Sequence, residues 1–181
     1  MTIQTTRLVL RPLEFSDCPA IQLLTGDRDV SATTRDIEHP YEDGMAEKWV
    51  SSCQRQSRSG NLVHFAITLA NDATFIGAIT LHLDPVGKQA ELSYWVGKPF
   101  WNQGYATEAV ESVLRHGLTK LGLDRVYGAH FTRNPASGRV MQKAGMCHEG
   151  FLKSHTEKWG KLEDLELYAV SKERFLGGDS V

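Results

Sequence analysis

The sequence predicts a single α+β domain: a mixed sheet of about six to seven strands flanked by about four helices. Three observations carry that expectation. Apolar residues alternate with period two in short runs near both ends and through the middle of the chain. They recur at helical spacing in other stretches, most clearly over residues 106–121. The connections between the central β runs are also short enough to demand hairpins.

Taken in order, Arg7-Leu8-Val9-Leu10-Arg11 alternates as a half-buried strand does, and Pro12 ends it. Ser16-Asp17 offers a cap for a short helix over residues 19–24. Residues 28–41 are polar and irregular and read as a mobile loop. Ala46, Trp49, Val50 and Cys53 fall at helical spacing, which assigns Trp49 to the core. Residues 65–69, 75–83 and 90–96 follow as β runs, separated by Asn71-Asp72 and Asp84-Pro85-Val86-Gly87. They predict an antiparallel meander.

Ala106, Val110, Val113, Leu114, Leu118 and Leu121 then form one helical stripe that Gly122 stops. Residues 125–131 make a strand reached by this helical crossover, and so parallel to the strand over 90–96. A helix over 136–144 ends at Gly145, in the position of a C-terminal cap. Strands over 147–152 and 165–170 close the fold around a polar loop, and residues 176–181 read as a frayed tail.

The chain has 181 residues, 41% hydrophobic and 23% charged, which suits one domain with a sizeable core. A net charge of -2 argues against bulk attachment to nucleic acid or an anionic membrane. No apolar run approaches the ~20 residues of a membrane span. Met1-Thr2-Ile3-Gln4 lacks a secretory leader's apolar stretch. Cys18, Cys53 and Cys147 are isolated, and the seven histidines show no metal-ligand spacing. The expectation is a soluble, cytoplasmic protein without metal, nucleic-acid or membrane partners. The sequence leaves the oligomeric state open, a dimer included.

The chemistry concentrates in ELSYWVGKPFWNQGYATEAV, residues 91–110. A strand ends near Val96 and a glycine-containing turn runs directly into a helix. The loop Asn102-Gln103-Gly104-Tyr105-Ala106-Thr107 would aim unpaired N–H groups outward at the positive end of the helix dipole. That arrangement binds a phosphate or pyrophosphate without a basic side chain, although a plain helix start accounts for the same residues. GxxxxGK[ST] and GxGxxG are both absent, which removes the P-loop and Rossmann alternatives.

These residues resemble the GNAT acetyl-CoA-dependent N-acetyltransferases, and within them the RimJ/RimL-like branch of ribosomal-protein and alanine N-acetyltransferases. The resemblance spans nearly the whole chain. It runs from TTRLVLRPLEFSD (5–17) through residues 91–110 and NPASGRVMQKAGM (134–146) to GKLEDLELYAV (160–170). The superfamily's phosphate loop, (Arg/Gln)xxGx(Gly/Ala), matches Gly104 and Ala106, with Trp101 at its first position as is usual for the branch. The fold implied is a strongly twisted mixed sheet whose fourth and fifth predicted strands splay around the pantetheine arm of acetyl-CoA. The backbone of Tyr94, Trp95 and Val96 would pair with that arm. Asn134 would bond it from the other side, and Lys143 would meet the 3′-phosphate or adenosine end.

The resemblance also implies direct transfer to an amine, with no acyl-enzyme and no cysteine nucleophile. Glu91 shares a strand face with Ser93 and Trp95, which makes it a candidate base looking into an acceptor cleft; a solvated strand-edge carboxylate is the alternative. Where many relatives carry an acidic tyrosine this chain has Met141, which cannot donate a proton. Ser137 stands where the branch places a serine near the cofactor sulfur. A backbone N–H around Tyr94, Trp95 and Val96 would stabilise the oxyanion.

A peptide α-amine with a pKa of ~7.7–8.0 is roughly 10–15% neutral at pH 7, whereas a lysine at ~10.4 is well below 0.1% neutral. An α-amine therefore manages with a weak or water-relayed base. The acceptor cleft is expected from residues 28–41 and 154–164. By branch the acceptor is a protein or peptide N-terminus. The alternatives are a small amine (amino acid, polyamine or aminoglycoside) or a non-catalytic acyl-CoA-binding module.

Overall fold

Eight strands form one sheet in a computed structural model that describes residues 1–84 and 86–177. They are β1 (Ile3–Gln4), β2 (Leu8–Arg11), β3 (Leu62–Leu69), β4 (Phe75–Asp84), β5 (Gln89–Val96), β6 (Arg125–Phe131), β7 (Cys147–Lys158) and β8 (Lys161–Ser171). Across the sheet the order is β1-β2-β3-β4-β5-β6-β8-β7. Every neighbouring pair is antiparallel except β5 and β6, which run parallel. A parallel pair needs a long crossover, and helix α4 (Tyr105–Thr119) supplies it.

Side-chain alternation divides the core in two. On one face, Phe65 and Ile67 of β3, Ile79 and Leu81 of β4, and Ala90 and Leu92 of β5 pack on α4 and α5 (Pro135–Lys143). On the other, Ala66, Ala78 and Trp95 pack on α1 (Cys18–Thr25), α2 (Arg28–Thr33) and α3 (Met45–Arg58). In α4 the side chains of Val110, Val113, Leu114 and Leu118 are fully buried, each stabilising by about 1.5–3 kcal/mol. That stripe fixes the helix axis and therefore the aim of its N-terminus.

Among the described residues the sheet is one strand larger than the sequence predicts, and there are six α-helices rather than about four. β1 has two residues, too few to show a period. Within residues 28–41, α2 is a six-residue helix whose Asp27 cap accepts from the Asp29 N–H at 2.8 Å. The largest departure is at the end of the chain. Residues 154–164 form no loop; they are the outer half of a long β7–β8 hairpin closed at Trp159 and Gly160, both in the left-handed conformation a two-residue hairpin turn requires. β7 is an edge strand exposed along most of its length, so no apolar alternation marks it. Leu176 and Gly177 belong to α6 (Lys172–Gly177), and the remainder of the expected frayed tail lies outside the described residues. So does Pro85 of the expected turn. Among the described residues no helix is long and apolar enough to cross a membrane, and no group of three or more His, Cys, Asp or Glu is placed to hold a metal ion.

Candidate active site

The parallel pair β5–β6 is joined at its start only. Gln89, Ala90 and Glu91 are in register with Arg125, Val126 and Tyr127, and from Leu92 onward the strands part. On its other edge β5 stays paired with β4 to the end. The Gly97 N–H bonds the Ile76 carbonyl beyond the Gly77–Val96 pair, a register that turns the amides of Tyr94 and Val96 toward the parted side. The Val96 carbonyl is taken by the Trp101 indole N–H at 2.6 Å, which leaves the Val96 N–H and the peptide groups of Tyr94 on that side.

A groove of about 330 Å³ runs from this opening to the start of α4. Of the expected cofactor residues it is lined by Tyr94, Trp95, Val96, Asn102, Gly104, Tyr105, Ala106, Thr107, Asn134, Ser137 and Lys143. Gln103 does not line it. Its side chain donates to the Pro99 carbonyl and its own carbonyl accepts from Arg7. Gly104 caps α4 with φ +81°, a conformation that favours glycine, and no side chain caps the helix. The N–H groups of the first turn are left for a ligand at the positive end of a 15-residue helix.

Glu108, the acid of that first turn, is drawn away from the groove. Its carboxylate accepts from the Thr5 hydroxyl at 2.6 Å, the Arg7 N–H at 2.8 Å and Arg7 Nε at 2.7 Å. Burial opposes its ionisation, but these bonds outweigh burial and hold the carboxyl below its ordinary range. Arg7 also donates to the Gln103 carbonyl at 2.8 Å and lies 4.7 Å above the Tyr105 ring. This arginine clamps the loop from behind, a role that its place in the first predicted strand does not reveal.

At the inner end of the groove the Tyr94 side chain crosses to α5. Its hydroxyl lies 2.8 Å from Ser137 Oγ and donates to the Ser137 carbonyl at 3.1 Å. Burial pushes this phenol above its ordinary pKa, with the Ser137 bond acting the other way, so it keeps its proton at neutral pH. The sequence points to Tyr94 for its backbone alone; the side chain is an addition of the structure. Asn134 precedes α5 without capping it through its side chain, which leaves its amide available in the groove. Met141 is buried, with Sδ packed near Gly128.

A second cavity of about 340 Å³ adjoins the groove and shares Thr33, Thr34, Tyr94, Trp95 and Ser137 with it. Its walls include Tyr41, Trp49, Trp95 and Phe131. Trp49, predicted as core, stands edge-on to His64 at 5.0 Å and 6.4 Å from Trp95, facing the cavity. His64 bonds Thr80 through Nδ1, while its buried Nε2 has no partner; burial, then His82, lowers its pKa to about 3. Cys53 also lines the cavity, its thiol pushed up to about 11 by burial and therefore protonated and unreactive at neutral pH.

Glu91 faces this cavity, as the alternation predicts, but not alone. Its Oε1 accepts from Arg35 Nη2 at 3.1 Å. Arg35 belongs to the segment after α2, and the hairpin tip holds that segment down. Lys158 Nζ donates to the carbonyls of Arg35 at 3.4 Å and Ile37 at 2.5 Å.

The chain matches the acetyltransferase (GNAT) domain family over residues 7–147. It is 30% identical over 176 residues to the uncharacterised N-acetyltransferase YnaD of Bacillus subtilis, covering 97% of this chain and 99% of the relative. Among solved structures, RimL, a ribosomal L7/L12 α-N-protein acetyltransferase in complex with coenzyme A, superposes with a TM-score of 0.86 at 20% identity, covering 94% of this chain and 98% of the other. The spermidine N-acetyltransferase of Vibrio cholerae with coenzyme A and spermine gives 0.82 at 21% identity, covering 95% and 99%. At these identities the two structures establish the fold.

Proposed function

The chain belongs to the GNAT acetyltransferase family and is an acetyl-CoA-dependent N-acetyltransferase, and from that premise we propose that it acetylates the N-terminal α-amine of a protein or peptide in the cytoplasm, in the manner of the RimJ/RimL-like branch. The observation that carries this reading is the meeting of two cavities at Tyr94, Trp95 and Ser137. A thioester held in one is presented to an amine held in the other, so transfer is direct and the buried Cys18 and Cys53 take no part.

On the donor side, the first-turn N–H groups after Gly104, with Asn102, Tyr105, Ala106 and Thr107 around them, hold the diphosphate. Gln103 shapes the loop through Arg7 and Pro99. Tyr94, Trp95 and Val96 line the pantetheine arm, Asn134 bonds it from across the slot, and Lys143 meets the phosphorylated adenosine end. A backbone N–H in the same stretch of β5 faces the developing oxyanion. As the amine nitrogen bonds the acetyl carbon and the C–S bond breaks, the hydroxyls of Ser137 and Tyr94 face the departing sulfur and supply its proton. The pair replaces the tyrosine that Met141 displaces.

Glu91 is the base. It lies three positions before Tyr94, about 10 Å along a strand, so it receives the amine's proton through water. A relayed, weak base suffices for an α-amine and not for a strongly basic one. The bounded cavity supports a second reading, a small amine such as an amino acid, polyamine or aminoglycoside.

The test follows release of free thiol from acetyl-CoA with a panel of N-terminal peptides and small amines. Peptide turnover is expected, with kcat falling about a hundredfold in Glu91→Gln and Ser137→Ala while coenzyme A binding holds. Turnover on small amines alone moves the assignment to the second reading. Coenzyme A binding without turnover on any acceptor makes the domain a sensor. An unaltered Glu91→Gln removes the base.

A further inference from the structure

We propose that Arg7 is the positioning residue of the diphosphate site: it fixes the Gln103–Gly104 peptide so that the Gly104 N–H faces the groove, and it cancels the charge of the acid in the first turn of α4. The inference rests on the reading of the groove as the acetyl-CoA site. It assigns part of that site's affinity to a side chain that stands behind the loop.

The first role follows from peptide geometry. A trans peptide is planar, so its C=O and N–H point to opposite sides. Arg7 Nη1 donates to the Gln103 carbonyl at 2.8 Å from behind the loop, which sends the N–H of Gly104 the other way. Gly104 lines the groove. Glycine takes either sign of φ at little cost, so its φ of +81° is not selected by the local sequence alone. The bond from Arg7 selects it. With the peptide flipped, a carbonyl oxygen instead of an N–H would face the diphosphate.

The second role is electrostatic. The Glu108 carboxylate lies at the helix end where an anion is to bind, and by itself it would repel that anion. It accepts from Arg7 Nε at 2.7 Å, from the Arg7 N–H at 2.8 Å and from the Thr5 hydroxyl at 2.6 Å. Paired with the guanidinium, it contributes little net charge. The guanidinium also lies 4.7 Å above the Tyr105 ring, at the first residue of the helix. Arg139 and Lys143 line the groove from α5. They attract the cofactor as a whole but do not touch the loop peptide that Arg7 holds.

The experiment titrates acetyl-CoA by calorimetry into wild type, Arg7→Gln, Glu108→Gln and the double variant. Arg7 is 46% exposed, so its replacement leaves the core intact. Arg7→Gln is expected to raise Kd about thirtyfold, and Glu108→Gln alone stays near wild type. The double variant regains the electrostatic part and binds within about tenfold of wild type. The Gly104 amide, shifted by acetyl-CoA in the NMR spectrum of wild type, no longer shifts in saturated Arg7→Gln. S-acetylpantetheine, a donor without the diphosphate, is turned over equally by wild type and Arg7→Gln.

Three results overturn the proposal and leave the donor site standing: Arg7→Gln binding acetyl-CoA like wild type, a double variant no tighter than Arg7→Gln, or equal losses with acetyl-CoA and S-acetylpantetheine. A wild type without affinity for acetyl-CoA overturns the donor site itself.

Discussion

The groove proposed for the donor and the cavity proposed for the acceptor share Thr33, Thr34, Tyr94, Trp95 and Ser137, yet they are made of different material. The groove is mostly main chain: amides on the open side of β5, the uncapped start of α4, and a glycine at φ +81°. The cavity is mostly long side chains from distant parts of the chain: Arg35, Trp49, His64 and Glu91, with Lys158 reaching across from the hairpin tip. A site built from backbone is set by local geometry and recognises what does not vary, in the proposed function the diphosphate and amide-bearing arm of the cofactor. A site built from side chains is free to change its acceptor without disturbing the fold.

The contrast is broken most severely at Gly104. Gly104→Asp places a β-carbon in a left-handed conformation, 3.2 Å from Arg7 Nη2, and adds a carboxylate where an anion binds. Strain and repulsion at the helix dipole together weaken acetyl-CoA binding by about a hundredfold, measured by calorimetry, while acceptor affinity is preserved. If the acceptor side is equally damaged, the two regions are one unit.

Trp49→Ala is the converse and the smaller effect. It removes the contacts with His64 and Trp95 and raises the acceptor KM about tenfold, since aromatic pairs contribute about 0.5–1.5 kcal/mol each beyond burial. KM for acetyl-CoA is unchanged. A change in the cofactor KM of the same size breaks the separation.

This division also explains what the sequence made legible. Residues 91–110 carry the groove in one continuous stretch, so Gly104, Ala106 and the strand-to-helix turn announce it. Ser137 and Asn134 follow from a second continuous segment. Arg35 and Lys158 announce nothing, because their meaning depends on the carbonyls of Arg35 and Ile37 lying beneath β7, a contact spanning more than a hundred residues. Trp49 sits on an apolar helical stripe and packs against the second core cluster as that stripe implies, but its place in the cavity wall is visible only in the structure. The β7–β8 hairpin escaped for a related reason: an edge strand exposed on both faces has no alternation to read.

The smallest effect sharpens the comparison through pH. His64 lies in the cavity wall with its pKa lowered to about 3, below its ordinary value of 6.5. On acidification the unfolded chain takes up this proton first, so stability is full above pH 6.5 and is lost as pH falls from 6.5 toward 3. For one proton the slope is at most about 1.4 kcal/mol per pH unit. His64→Gln flattens that part of the curve, measured as the difference in unfolding free energy from wild type between pH 4 and pH 6, about the middle of the window. A difference independent of pH excludes a buried neutral histidine.

The central claim is that main-chain groups on β5 and at the start of α4 take up acetyl-CoA. The most direct measurement is acetyl-CoA titration into isotopically labelled protein, following each backbone amide by NMR. The account predicts saturable shifts at Gly104, Tyr105, Ala106 and Thr107 together with Tyr94 and Val96, and little change along the β7–β8 hairpin. Saturation with those amides unmoved and the largest shifts elsewhere contradicts it.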